Sequence, residues 1–293
     1  MQFARSCARP LVLEDGATLR RHLAASGASL SEHSFANLFL FRHVHDYRLI
    51  EGDWPAISGR TYDGALHIMP LFDLASAPQA VQRNLLTEHE CVYPVSDALT
   101  ARIWQSVQPL SWAQSHVDAD SDYLYRTAAL ADFRGTRLRK KLNQTRQFER
   151  NWGPSFEPLD ASNIGLARWV LGEWASDVGK AAETADLGPC SEALDHFAAL
   201  ELIGFVALTR TGDPAGFVLA AQINAGTAVV HFAKGSRRYV GIFPFLFNRL
   251  ARALGNRFQF LNFEQDLGNP RLAQNKRSYQ PERLLHKYRL RLS

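Results

Sequence analysis

The spacing of apolar and polar positions changes period repeatedly along the chain, and each change marks an element. Helical spacing over 34–44, carried by Phe35, Leu38, Phe39 and Phe41, predicts a first helix. Strand-like runs at 47–50, 56–61 and 65–71 follow, then a helix over 78–88, a strand over 91–95 and a helix over 97–107. The polar, Asp-rich stretch 115–122 reads as a linker. Beyond it, aromatic alternation at 123–127 predicts a strand. Over 132–151, Leu138, Leu142 and Phe148, with Trp152 just past, form one narrow helical stripe whose flanks are cationic. Helices over 163–179 and 191–200 lead to three strands, 204–210, 214–224 and 227–234. The turns joining those strands suit an antiparallel meander. A helix over 242–254, a strand over 258–263, a short helix over 270–277 and a last strand over 284–292 complete the pattern.

This alternation predicts an α/β (α+β) protein of two domains, 1–120 and 121–293, each a mixed, mainly antiparallel sheet flanked by helices. The element order of the second half is that of the GCN5-related N-acyltransferase fold. A length of 293 residues is comfortable for two such domains. Hydrophobic residues at 46% and charged residues at 21% match globular averages and exclude wholesale disorder. No apolar run approaches the roughly 18–20 residues a membrane-spanning helix needs, and the N-terminus lacks the apolar core of a signal peptide. Cys7, Cys91 and Cys190 are odd in number and far apart, as expected of reduced thiols in a cytoplasmic protein.

Charge changes the picture more than composition does. The net charge is only +4, yet 134–150 holds seven basic residues against Glu149 alone, and 271–291 holds seven more against Glu282. The remainder of the chain is net acidic. Two such runs in one half suit a basic face for a polyanionic partner, with tRNA, a phosphorylated small molecule or an anionic lipid surface as the candidates, and equally a solvated, ion-paired surface.

Three segments carry candidate chemistry. Arg238-Tyr-Val-Gly241 fits the first half of an Arg/Gln-x-x-Gly-x-Gly/Ala loop, in which backbone amides and a helix N-terminus wrap a donor's pyrophosphate. Phe243 stands where the second small residue belongs, so the loop reads as a coenzyme A site lost or retuned, or as a plain helix start. Glu264 and Asp266 follow a strand's C-terminal end and share its parity, which offers a general base or an amine anchor in one cleft. Asn269 before Pro270 equally suits a helix cap. Lys276, Ser278 and Tyr279 place cationic and hydroxyl groups ahead of the last strand, to grip a phosphate or carbonyl or simply to pack. No metal site is expected. His33, His43, His45 and His67 lack carboxylate or cysteine company, and Asp118-x-Asp-x-Asp122 lacks the Gly and Glu of a calcium loop.

Several segments together resemble a known family. They are Leu30-Ser-Glu-His-Ser-Phe-Ala-Asn37, Asp122-Tyr-Leu-Tyr-Arg-Thr127, Arg137-Leu-Arg-Lys-Lys-Leu-Asn143-Gln-Thr-Arg146, and Glu264-Gln-Asp-Leu-Gly268 with Lys276-Arg-Ser-Tyr279-Gln-Pro281. In order and over nearly the whole chain, they are similar to the bacterial proteins related to the C-terminal domain of phosphatidylglycerol lysyltransferase (DUF2156). The resemblance implies two GCN5-like acyltransferase domains in tandem, as in the Fem transferases, and transfer of an amino acid from aminoacyl-tRNA to a lipid hydroxyl. It places Arg238 and Gly241 in a donor loop, Glu264 and Asp266 at a strand end, and Lys276, Ser278 and Tyr279 beside them. Arg139, Lys140, Lys141, Asn143 and Arg146 match the family's basic helix, although Leu142-Asn143 stands where an Arg-Asn pair is usual. The family's transmembrane half is not in this chain.

The expected function is therefore aminoacyl transfer from aminoacyl-tRNA to a lipid or small-molecule acceptor, without a resident cofactor. The basic runs would hold tRNA phosphates, and Gly241 amides or Ser278 and Tyr279 would stabilise the oxyanion. Glu264 or Asp266 would act as base. The alternatives are an acyl-CoA-dependent N-acyltransferase and a non-catalytic module for anionic ligands. The expected location is the cytoplasm, with peripheral contact to an anionic membrane face.

Overall fold

A computed structural model of the chain describes residues 3–105, 110–179 and 186–293. Two compact units emerge. The first comprises 1–122 with 265–268 and 284–293; the second comprises 123–264 with 269–283.

The first unit takes strands β1 (Arg9–Pro10), β2 (Arg48–Ile50), β3 (Ala56–Arg60), β4 (Leu66–Pro70), β5 (Cys91–Val95) and β6 (Trp112–His116). Its helices are α1 (Gly16–Ala25), α2 (Phe35–Leu40), α3 (Gln79–Leu85) and α4 (Asp97–Trp104). The second unit takes β7 (Asp122–Arg126), β8 (Ser155–Pro158), β9 (Ile203–Leu208), β10 (Pro214–Asn224), β11 (Thr227–Gly235), β12 (Phe260–Asn262) and β13 (Arg283–Leu285). Its helices are α5 (Thr127–Asp132), α6 (Arg139–Trp152), α7 (Ile164–Val178), α8 (Leu187–Asp195), α9 (Ile242–Leu254) and α10 (Pro270–Arg277). The last strand, β14 (Tyr288–Leu292), returns to the first unit. The two seven-stranded sheets run β1-β2-β3-β4-β5-β14-β6 and β13-β7-β12-β11-β10-β9-β8.

The α/β reading with mixed sheets flanked by helices therefore stands, while the halves 1–120 and 121–293 differ from the compact units in the chain's tail. The single strand expected over 284–292 is two strands in two sheets. β14 pairs antiparallel with both β5 and β6, and Leu290 is buried in the first unit's core beside Val92, Ile68 and Trp112. Alternation identifies a strand but does not name its neighbours, and this pairing spans nearly two hundred residues of sequence. Nor is 115–122 a linker, because it contains the end of β6 and a 3-10 turn over Asp118–Asp120. The helix expected over 132–151 is interrupted at Phe133, left-handed at φ +47°, and at Gly135; α6 starts only at Arg139. Residues 106 and 107 of the helix expected over 97–107 lie outside the described residues.

The second unit is layered around β10. From Ala215 to Ala221 that strand is continuously buried, as expected of a strand with helices on both faces; α7 and α9 pack against it. Helix α9 buries Ile242, Phe245, Leu246, Leu250 and Leu254, and tolerates Pro244 because that residue lies in its first turn. Buried Asn248 donates to the carbonyls of Leu130 and Ala131 at 2.9 and 2.8 Å, satisfying the end of α5. Among the described residues no helix is long and apolar enough to cross a membrane. All three cysteines are unpaired, and burial pushes the Cys91 thiol up to about 11.

Candidate active site of the second unit

In the second sheet β11 pairs parallel with β12, with Thr227, Ala228 and Val229 in register with Phe260, Leu261 and Asn262. β12 ends there, while β11 runs on to Gly235. Just beyond the last paired residue, the β10–β11 ladder slips: Leu219 pairs with Phe232 but Ala220 pairs with Val230. His231 is thus the extra residue of a β-bulge. Bulges re-aim a side chain out of the alternating pattern.

The imidazole of His231 is fully buried, and its Nδ1–H donates to Glu264 Oε1 at 2.8 Å. Glu264 reaches this position because the chain does not continue as a strand past Asn262. Glu264 adopts φ +57°, and Asn262 Oδ1 accepts from its backbone N–H at 2.7 Å. The Glu264 side chain keeps 16% of its surface exposed. The result is a partly exposed carboxylate held by a buried imidazole.

This geometry separates Glu264 from Asp266. Strand parity no longer applies where Glu264 and Leu267 both have positive φ. Asp266 is buried, belongs to the first unit, and accepts from the Gly268 N–H at 2.9 Å in a local turn. Lys276 and Ser278 are likewise engaged with backbone. Lys276 Nζ donates to the carbonyls of Phe263 and Glu264 at 2.6 and 3.0 Å, and the Ser278 hydroxyl donates to Asn275 O. Tyr279 is buried against Phe247 and Phe133, and burial holds its hydroxyl well above the usual range. Its ring carries Lys141, whose Nζ lies 3.8 Å from the centroid. Burial, with Lys140 alongside, lowers the Lys141 ammonium to about 8. From Tyr279, Phe247 leads to Phe263, the residue before Glu264, with ring centroids 5.2 and 4.7 Å apart. The cationic helix and the dyad therefore share one aromatic floor.

Along α6, Arg139, Lys140, Asn143, Arg146 and Arg150 are exposed. The second basic run divides. Arg271, Arg277 and Arg283 are exposed, but Lys287 and Arg289 are interior counter-ions of the first unit. Lys287 Nζ meets Asp122 at 2.8 Å and donates to Glu32 at 2.7 Å, to Ser31 Oγ at 3.0 Å and to Gln265 at 2.9 Å. Arg289 meets Asp63 and Asp120. Two belts of surface cations are thus one belt on α6 with a smaller cluster on 271–283. Charge counting cannot distinguish a solvated arginine from one neutralised inside.

The loop before α9 also differs from expectation. Gly241 sits at φ +92°, and a Cβ built there would lie 2.4 Å from the carbonyl oxygen of Gln144 on α6. Its glycine is required by close packing of α6 on α9. Phe243 joins the aromatic cluster of Phe148, Tyr239 and Phe245, and Arg238 is exposed with its guanidinium 5.8 Å from the Trp152 ring. His231 and Lys234 escaped sequence reading. Lys234 is buried beneath Trp174 at 3.7 Å and paired with Asp186. The available signal was two ionisable residues inside the otherwise apolar strand Thr227–Gly235.

A two-unit α/β architecture of mixed sheets flanked by helices, with β11 parallel to β12 in the second, places this protein with the GCN5-related acyltransferase folds, arranged in tandem. The family model described as "Phosphatidylglycerol lysyltransferase, C-terminal" matches residues 23–291, so the chain belongs to that family. A conserved protein of unknown function from Bacteroides thetaiotaomicron superposes with a TM-score of 0.83 at 23% identity, over 98% of this chain and 99% of that one. L-PGS from Bacillus licheniformis superposes at 0.61 with 15% identity, covering 95% and 92%. FemX superposes at 0.59 with 8% identity, covering 98% and 97%. At these identities the likeness is one of fold. No curated protein matches the sequence.

Proposed function

We propose that the protein is an aminoacyltransferase that moves an amino acid from aminoacyl-tRNA to a lipid or small-molecule acceptor. The observation that carries this reading is the Glu264–His231 dyad on the same aromatic floor as the exposed cations of α6. Family membership supports transferase chemistry. In this reading, Arg139, Lys140 and Arg146 bind tRNA phosphates, with Asn143 as a neutral hydrogen-bonding neighbour. Glu264 accepts the proton from the attacking hydroxyl or amine as that group's bond to the ester carbonyl forms. His231 is the positioning residue that holds the carboxylate and shares the proton's charge. The tRNA 3′-oxygen then leaves and takes up a proton. With Ser278 and Tyr279 committed to packing, Lys141 is the cation left to stabilise the oxyanion.

An acyl-CoA donor fits less well. The Gln144 carbonyl fills the Cβ side of Gly241, and a carbonyl oxygen there repels a diphosphate rather than binding it. The test supplies labelled aminoacyl-tRNA together with phosphatidylglycerol vesicles or a small-molecule extract. Label should pass to lipid or acceptor with the native protein and fail to pass with Glu264→Gln. Absence of transfer from a complete aminoacyl-tRNA pool, coupled with tight acetyl-CoA binding in calorimetry, would overturn the reading in favour of the acyl-CoA alternative.

A further inference from the structure

The first unit brings together three metal-ligating side chains that are remote in sequence. β6 ends at His116, and β14 begins at Tyr288, its antiparallel partner. That pairing sets His286, two residues before Tyr288, against His116, with ring centroids 4.6 Å apart. Asp118, at the start of the 3-10 turn that follows β6, places Oδ1 at 3.2 Å from His116 Nε2. One ligand atom from each of His116, Asp118 and His286 lies within 4.8 Å of the others. We infer that these three residues form a binding site for a divalent transition-metal ion of the zinc class, with a fourth position open to water.

Two imidazoles and one carboxylate are the donor set such an ion takes, and three protein ligands leave a position free. Tetrahedral bonds of about 2.0–2.1 Å put ligand atoms about 3.3 Å apart. The His116–Asp118 separation already has that value, and a small side-chain rotation closes the rest. His286 is also held from behind. Its Nδ1 lies 3.1 Å from the hydroxyl of Ser121, a fully buried residue. When Nδ1–H donates to that oxygen, Nε2 carries the lone pair available to a metal ion. This is the outer-shell arrangement that orients ligating histidines. Metal binding displaces the His116–Asp118 hydrogen bond: the imidazole keeps its proton on Nδ1 and offers Nε2. Asp118 is 84% exposed and His116 37%, so the ion has an open path in. The Tyr288 ring stands edge-on to His116 at 5.4 Å and limits ring rotation. Calcium or magnesium, which require many oxygen ligands, are disfavoured by two nitrogen donors.

This inference is independent of the transferase reading. The full chain, stripped with chelator, is titrated with Zn²⁺ by calorimetry and with Co²⁺ by visible absorption. One-to-one Zn²⁺ binding is expected, with Co²⁺ bands of a nitrogen–oxygen site of low coordination number. The double variant His116→Ala/His286→Ala should lose both, and so should Asp118→Ala, whose thermal melt without metal stays unchanged because that side chain is 84% exposed. Ser121→Ala, which keeps all three ligands, should weaken Zn²⁺ roughly tenfold. Failure of the native chain to bind Zn²⁺, or equal binding by the double variant, would overturn the assignment.

Discussion

β4 beside β5 in the first unit and β11 beside β12 in the second are both parallel pairs, and each carries a histidine on its earlier strand. His67 lies in register opposite Cys91. It is 1% exposed, wedged edge-on between Tyr47 and Tyr93, and its Nδ1 has no partner among the described residues. Burial drives its pKa down to about 3. His231 lies just past the paired register, on a bulge, bound to a mostly buried carboxylate that keeps a little exposed surface. One slipped residue separates the two outcomes. A regular ladder leaves the first histidine locked in packing, whereas the bulge swings the second toward a group that meets solvent. The same sheet plan thus yields a structural histidine in one unit and a wired one in the other.

The sharpest way to break this contrast is kinetic. Glu264→Gln should lower the rate of aminoacyl transfer by about 10²–10⁴-fold, the range for loss of a general base. Under native conditions His67→Gln should leave it nearly unchanged. Equal losses in steady-state assays of the two variants would erase the distinction.

Stability separates the units next. Lys287 is 1% exposed, and burial works against its charge, yet Asp122 and Glu32 hold its pKa above the usual lysine range. Burial meanwhile raises Glu32. Lys287→Ala strands two buried carboxylates and should cost about 3–5 kcal/mol in urea unfolding. Arg126→Ala, which breaks the exposed pair with Glu282, should leave the unfolding midpoint where it is.

Acid sharpens the comparison further. With a folded pKa near 3 and an unfolded value near 6.5, His67 binds fewer protons when folded. Its contribution is fully present above pH 6.5 and is lost as pH falls toward 3. Between pH 6.5 and 4.5 it should remove about 2 kcal/mol. His33, lowered by burial to about 4, acts in the same direction. Denaturant midpoints at the two pH values should converge in His67→Gln. The smallest effect is electrostatic: Lys140→Glu/Arg146→Glu should flatten the salt dependence of tRNA binding by about two in log–log slope. Lys141 is a poor choice for that test, because its ammonium sits on the Tyr279 ring.

Much of the architecture follows from local pattern. The meander 204–234, the α9 helix and the cap at Asn269–Pro270 were legible because caps, turns and periodicity act over a few residues. Of the candidate site, the strand-end position of Glu264 and the exposed cationic face of α6 were legible from element order and charge. Asp266 was misplaced beside Glu264, since parity holds only while backbone stays extended. Gly241 read as a phosphate cradle when its real demand is the Gln144 carbonyl behind it.

The amino-acid sequence alone determined the meander 204–234, helix α9 and the cap at Asn269–Pro270, that helix α6 is cationic, and which family the chain resembles, because these properties reside in neighbouring residues or in ordered motifs. Only the tertiary structure decided that Lys287 and Arg289 are interior counter-ions, that β14 closes the first sheet, and that His231 meets Glu264 and His116 meets His286. Each depends on strand register or on pairing between distant segments, which is set by the summed packing of the whole sheet and leaves no mark at any single position.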